Sequence, residues 1–122
     1  MIFFMVVVSP TIFKVLDETN SGSFLRQLFP RMFLYGLIAM LVAFLTTLNS
    51  QLNIYWIISA ISSILFAINL YIITPKINYH RDEAKLGNSL SEKKFKQFHL
   101  FSVALFILQL LGSLYLLLIY YY

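Results

Sequence analysis

His80 and His99 are the only imidazoles in this 122-residue chain, and without any cysteine they are its best ligands for a transition metal or a haem iron. A bis-histidine site in a helical bundle needs ligands inside the apolar spans, facing one another. Both histidines instead flank a charged connection, so no haem, metal ion or other cofactor is expected. The simpler expectation is that His99 hydrogen-bonds a carboxylate such as Asp82, or reaches water, and that His80 is solvated. Met1, Met5, Met32 and Met40 could be read as a copper path, but thioethers in apolar helices usually serve packing.

The charged residues are the second source of chemistry. Lys14, Asp17, Glu18 and Arg31 follow Pro10, and Arg81, Asp82 and Glu83 follow Pro75. Delivered at one end of a bundle, they would form a ring, with Arg31–Asp82 and Arg81–Asp17 as the expected pairs. Such a ring locks helices together or gates a substrate or proton. No carboxylate falls in the middle of an apolar segment, which argues against a conventional proton-coupled carrier. There is no Ser-His-Asp order, glycine-rich phosphate loop or H-E-x-x-H run, so no catalytic residue is assigned and an enzyme is the weakest class. The only amides inside apolar segments are Asn69 and Gln109. They are expected to face the bundle interior at similar depth, within reach of each other, at roughly 0.6–2 kcal/mol if bonded.

Positioning these residues is the work of four apolar segments, at 1–16, 32–48, 54–74 and 100–120. The chain is 60% hydrophobic and 11% charged, too little polar surface to cover a water-soluble globule. Segments two to four have the length of spanning helices, about 20 residues for a roughly 30 Å hydrocarbon core. The runs 57–73 and 103–119 are apolar on nearly every side, whereas a transmembrane strand would alternate. The expected fold is therefore an all-α four-helix transmembrane bundle, one domain over 1–122. The first segment is short for a span, and it lacks the basic leader and cleavage site of a signal peptide.

All nine Lys and Arg, and all five Asp and Glu, fall within 14–31 and 76–96. These are connections one and three, which emerge on the same face. The positive-inside rule makes that face cytoplasmic, with loops 17–31 and 76–99 inside, both termini outside and a bacterial inner membrane as the expected location. Orientation explains the formal charge of +4 better than nucleic-acid binding does. The uncharged turn 46–53 then faces outward. Tyr55, Trp56 and Tyr120 to Tyr122 form an outer aromatic belt, answered inside by Phe29, Phe33, Tyr71, Tyr79, Phe95 and Phe98.

The stretch SPTIFKVLDETNSG from Ser9 returns 65 residues later as TPKINYHRDEAKLG from Thr74. Pro10, Ile12, Asp17, Glu18 and Gly22 match Pro75, Ile77, Asp82, Glu83 and Gly87, with Ser9 exchanged for Thr74. A duplicated helical hairpin is the simplest account, its copies related by an axis along the membrane normal. Each proline should leave a carbonyl unpaired, that of Val6 or Tyr71, and kink its helix unless Ser9 or Thr74 supplies a hydroxyl. Either the kinks are local or they open an inner vestibule. Residues 23–31 mix apolar and basic side chains like a short interfacial helix. Ser89 and Glu92 have capping-box spacing, which starts helix four near Leu90 and leaves Lys93, Lys94 and Lys96 on a stub where each attracts anionic headgroups at about 1 kcal/mol. Ser59, Ser63 and Ala67, and Gly36, Ala39 and Ala43, offer small-residue stripes for helix packing.

The run FFMVVVSPTIFKVL, then Gly22, Phe29-Pro30, Pro75-Lys76-Ile77-Asn78, Arg81-Asp82, Gly87 and FHLFSV from Phe98 to Val103, resembles the bacterial branch of the transmembrane-protein-205-like domain family. The resemblance covers nearly the whole chain. It implies a small four-helix membrane domain without an assigned biochemical activity. Human relatives are linked with platinum-drug resistance, which implies export or trafficking. The family also implies a first helix continuing upstream and an Asn where Phe106 stands. The leading expectation is a non-enzymatic membrane module or accessory subunit, packed against lipid and against copies of itself or other membrane subunits. Because four short helices enclose little volume, transport would need an oligomer. A small solute, metal or drug efflux permease is the alternative, and a haem- or metal-bound redox protein the third.

Overall fold

Hydropathy marks where a chain crosses hydrocarbon, not where its helices stop, and here the helices run far beyond the crossings. The structure, a computed structural model, describes residues 3–122, without the side chain of Met5. The part of the methionine reading that concerns Met1 and Met5 therefore lies outside the described side chains. Helix α1, Ser9–Val15, continues from a π-helical turn at Phe4–Val8. Helix α2 is Glu18–Thr47, α3 is Asn53–Lys85 and α4 is Ser89–Tyr121. Three of these, α2 to α4, are long and apolar enough to cross a membrane; the apolar part of the first, Val6–Val15, is shorter than a span.

Segments 32–48, 54–74 and 100–120 are thus the apolar parts of longer helices. Arg26, Gln27 and Arg31 are good helix formers, so residues 23–31 are not a separate interfacial helix but early turns of α2. Pro30 lies inside that helix. At 33 residues, α3 and α4 are each about 50 Å long, so their charged ends project beyond the hydrocarbon. The cap of α4 is Asn88 rather than Ser89: its side chain accepts from the Ser91 amide at 3.1 Å.

Gly87 ends α3 at φ +92°, a conformation that strains any residue with a Cβ, although no atom crowds the position. Gly87→Ala should cost about 1–2 kcal/mol, read as a lower melting midpoint by circular dichroism in detergent. An unchanged midpoint would show that the turn relaxes.

Helix α3 is the spine. Of its most apolar stretch 39% is buried, against 17% for α4 and 6% for α2. Phe33, Phe66 and Phe106 form the central cluster, with Met32 and Met40 packed against it. Phenyl rings run in file from Phe4 to Phe29, Phe33 and Phe66, at centroid distances of 5.7, 6.1 and 6.4 Å. Gly36 makes room for the Phe66 ring, and Ser59, Ser62 and Ser63 are buried. Ala39, expected on the seam, is exposed. Outward-facing Leu34, Ile38, Leu41 and Leu45 of α2, and Leu108, Leu111, Leu114 and Leu118 of α4, make an apolar exterior that water would not tolerate.

Two π-helical turns, Phe4–Val8 and Asn69–Ile73, lie immediately before Ser9-Pro10 and Thr74-Pro75. In each, the amide before the proline reaches back five residues, Ser9 to the Phe4 carbonyl and Thr74 to that of Asn69. Widening the helix in this way absorbs the missing proline donor. The hydroxyls act differently from expectation. Thr74 Oγ1 donates to the Asn69 carbonyl at 2.7 Å rather than to Tyr71, and Thr11, not Ser9, donates to Val7 at 2.6 Å.

Past the prolines the matching stretches diverge. Asp17 stands at the N-cap of α2 and Gly22 lies inside that helix, whereas Asp82 is within α3 and Gly87 follows it.

Candidate functional site

All four helices contribute to one cavity of about 610 Å³ near the charged end. The cavity is partly open, and Ser9 and Thr74, the residues before the two prolines, lie on its wall. Its apolar wall includes six phenyl rings, Phe4 and Phe13 near α1, Phe29 and Phe33 of α2, and Phe95 and Phe106 of α4. Hydroxyls of Ser9, Ser21, Thr74 and Ser102 and the amide of Asn78 interrupt it. Glu18, Arg26, Arg81 and His99 bring titratable groups to it.

The deep amides are buried, Asn69 completely and Gln109 to 2% exposure. They do not bond each other. Ser102 Oγ donates to Asn69 Oδ1 at 2.7 Å, and Asn69 Nδ2 to the Ser102 carbonyl at 3.4 Å. Gln109 Nε2 donates to the Ser62 carbonyl at 3.4 Å, while its Oε1 has no partner among the described residues. His80 Nδ1 lies 3.4 Å from Ser91 Oγ. Along α3 these contacts are spaced by seven and eleven residues, Ser62 to Asn69 to His80, and α4 answers with Gln109, Ser102 and Ser91. Seven residues are about two helical turns and eleven about three, so the contacts share one antiparallel seam.

The histidines have separate settings. His80 stacks on Phe98 at 5.6 Å, with Lys76 Nζ 5.4 Å from the same ring, so it is not simply solvated. His99 lines the cavity and stacks on Phe95 at 6.0 Å; among the described residues it makes no bond to Asp82. Among the described residues no three of His, Cys, Asp and Glu group to hold a metal ion.

The charged ring assembles with different partners. Arg26, absent from the expected cluster, grips Asp82 with both terminal nitrogens at 3.1 and 2.5 Å. Arg31 is exposed without an ion pair among the described residues. Arg81 Nη1 donates to the Gly22 carbonyl at 3.3 Å instead of meeting Asp17, whose Oδ1 accepts from Asn20 at 2.5 Å. Lys14 is exposed in the last turn of α1, and Glu83 is half-buried at the end of α3. Arg26 was legible in principle. Asp17 followed by Glu18 is a helix-start signal, and a helix starting there puts Gly22 and Arg26 one turn apart on one face.

The Arg26 hydrogen bonds hold the Asp82 carboxyl below its ordinary value of 3.8, helped by the Lys85 and Arg81 charges and opposed by desolvation. A folded value below the unfolded one stabilises fully above about pH 4, and this is lost as pH falls through the folded value. Side-chain exposures of 45% and 50% limit the pair to under about 1 kcal/mol. Asp82→Asn should therefore melt slightly below wild type at pH 7, and the two curves should coincide in strong acid. A gap persisting at pH 2 would contradict this pairing.

No curated protein and no solved structure matches the chain. A family described as a domain of unknown function (DUF4149) matches residues 1–86, which take in α1, α2 and α3 and so most of the cavity. The match covers more than half of the sequence, and the chain belongs to that family.

Proposed function

We propose that this protein is a non-enzymatic integral membrane module that takes up the apolar part of a solute in its one-sided cavity. The observation that carries the reading is the cavity itself, which lies near the charged end and is lined at its apolar side by Phe33 and Phe106 of the central cluster. Its size falls in the range of about 300–1,000 Å³ common to ligand sites. In this reading the charged end faces the cytoplasm of a bacterial cell and both termini lie outside. Copies of the chain or other membrane subunits cover its lipid-facing sides, and Lys93, Lys94 and Lys96 rest on anionic headgroups. The identically placed π turns support descent of both halves from one hairpin, and the resemblance to transmembrane-protein-205-like domains fits a role in export or trafficking.

Native mass spectrometry after extraction in mild detergent tests the reading. A co-purifying small molecule, lost when Val103→Trp fills the cavity, supports it; wild type and variant each found only at its own bare polypeptide mass would refute it. Reporters fused after Tyr122 and at Gly87 should be active outside and inside the cytoplasm respectively, and the reverse pattern would invert the orientation.

The alternative is a permease. Its support is the pair of buried polar contacts, Asn69–Ser102 and Gln109–Ser62, that lie beyond the cavity toward the uncharged end. There the α2, α3 and α4 surfaces form only a shallow, mostly apolar depression. Intramembrane polar groups of this kind line solute paths in transporters. A deletion strain that accumulates a solute, cured by wild type but not by Gln109→Leu, would favour passage over binding alone.

A further inference from the structure

We infer that the cavity's ligand is an amphiphile with an anionic head, a carboxylate or phosphate, that meets Arg81, and an apolar body that lies among the phenyl rings. This rests on the reading of the cavity as a solute site. Polarity is graded along it: Arg81, Asn78 and Glu18 come from the charged ends of α3 and α2, whereas Phe33 and Phe106 come from the central cluster. A ligand matching that gradient has one polar end and one greasy end.

The charge of the head follows from the two arginines. Arg26 is neutralised by the bidentate grip of Asp82. Arg81 is half-buried, and its hydrogen bond among the described residues goes to a neutral carbonyl, that of Gly22. Glu18 lines the same cavity but forms no ion pair with it. Asp82 feels the Arg81 charge only at a distance, its oxygens being held by Arg26. Among the described residues the Arg81 guanidinium therefore has no carboxylate in hydrogen-bonding contact, and its planar fork matches carboxylate and phosphate oxygens. Gly22 allows this placement, because a Cβ there would collide with Nη2 of Arg81. The absent side chain thus lets the arginine lie against α2 at the edge of an apolar chamber.

The test uses the full chain in nanodiscs of zwitterionic lipid, with binding read by native mass spectrometry. The probes are palmitate, palmitoyl-lysophosphatidate and the neutral monopalmitoylglycerol. Both anions should bind at least ten-fold more tightly than the neutral analogue. Arg81→Gln should erase that preference while leaving monopalmitoylglycerol affinity unchanged, and Arg81→Lys should keep part of it. If Arg81→Gln does not fold, Arg81→Lys and Gly22→Ala, each moving the charge, must lower the preference instead. Competition by octanoate added from water would assign the ligand to the aqueous phase; retention of lysophosphatidate without such competition would assign it to the bilayer. Equal binding of neutral and anionic probes overturns the anionic head but leaves the cavity reading standing. Binding of all probes undiminished in Val103→Trp, or of none to wild type, overturns the cavity reading itself.

Discussion

Replacing Gly36 by leucine will destabilise the fold by overpacking the crossing of α2 and α3. A Cβ at this position would stand 2.5 Å from Cε1 of Phe66, whose ring is 1% exposed and also packs against Phe33 of α2. Neither partner can withdraw without separating α2 from α3. Overpacking of this severity costs about 3 kcal/mol. Phe66→Ala, with the opposite defect, should cost about 3–5 kcal/mol through the void it leaves. Because one defect fills the other, the double variant should be more stable than either single one. Denaturation in mixed detergent micelles, followed by circular dichroism, measures all four proteins. A leucine variant that melts with wild type, or a double variant showing the sum of both losses, would mean that Gly36 and Phe66 do not share this space.

Asn69→Leu should cost about 2 kcal/mol, by removing the acceptor of the buried Ser102 hydroxyl and the side-chain donor to the Ser102 carbonyl. The leucine has nearly the same bulk, so the effect isolates the polar contact. Ser102→Ala should cost less, because it removes only the donor to Asn69 Oδ1, and Asn69 Nδ2 can still donate to the backbone carbonyl of residue 102. The coupling between the two substitutions should be about 1 kcal/mol, near the upper part of what interhelical bonds contribute in membranes. Additive losses would show that the two side chains act independently, and the short Oγ–Oδ1 distance would then carry little energy.

What could be read from the chain depended on how local its cause was. Confinement of charge to 14–31 and 76–96 is a property of residue order alone, and it was enough to mark one end of the helices. The early start of α4, expected near Leu90, holds, whereas α2 and α3 extend beyond the apolar limits given to them. Asp17, Asn88 and Gly87 mark the true ends, and their signals are chemical rather than hydropathic.

Pro10 and Pro75 announced some irregularity, but a π-helical turn and a kink answer the same missing donor, and only the surrounding packing chooses. Asn69 and Gln109 were recognisable as interior by their polarity. Their partners, Ser102 and Ser62, depend on the rotation of α4 against α3, which no short-range pattern encodes. The cavity was the least legible feature. Its walls come from residues as distant as Ser9, Phe33, Thr74 and Phe106, brought together by helix crossings alone.

The seam between α3 and α4 has a mechanical consequence. With contacts at Ser62–Gln109, Asn69–Ser102 and His80–Ser91, a slide of one residue would carry every donor past its acceptor at once. The pair therefore behaves as a stator, keyed against piston motion. The head of α2 is tied to the same strut through Arg26–Asp82 and Arg81–Gly22, so among the described residues α1 is the helix with no side-chain hydrogen bond to it.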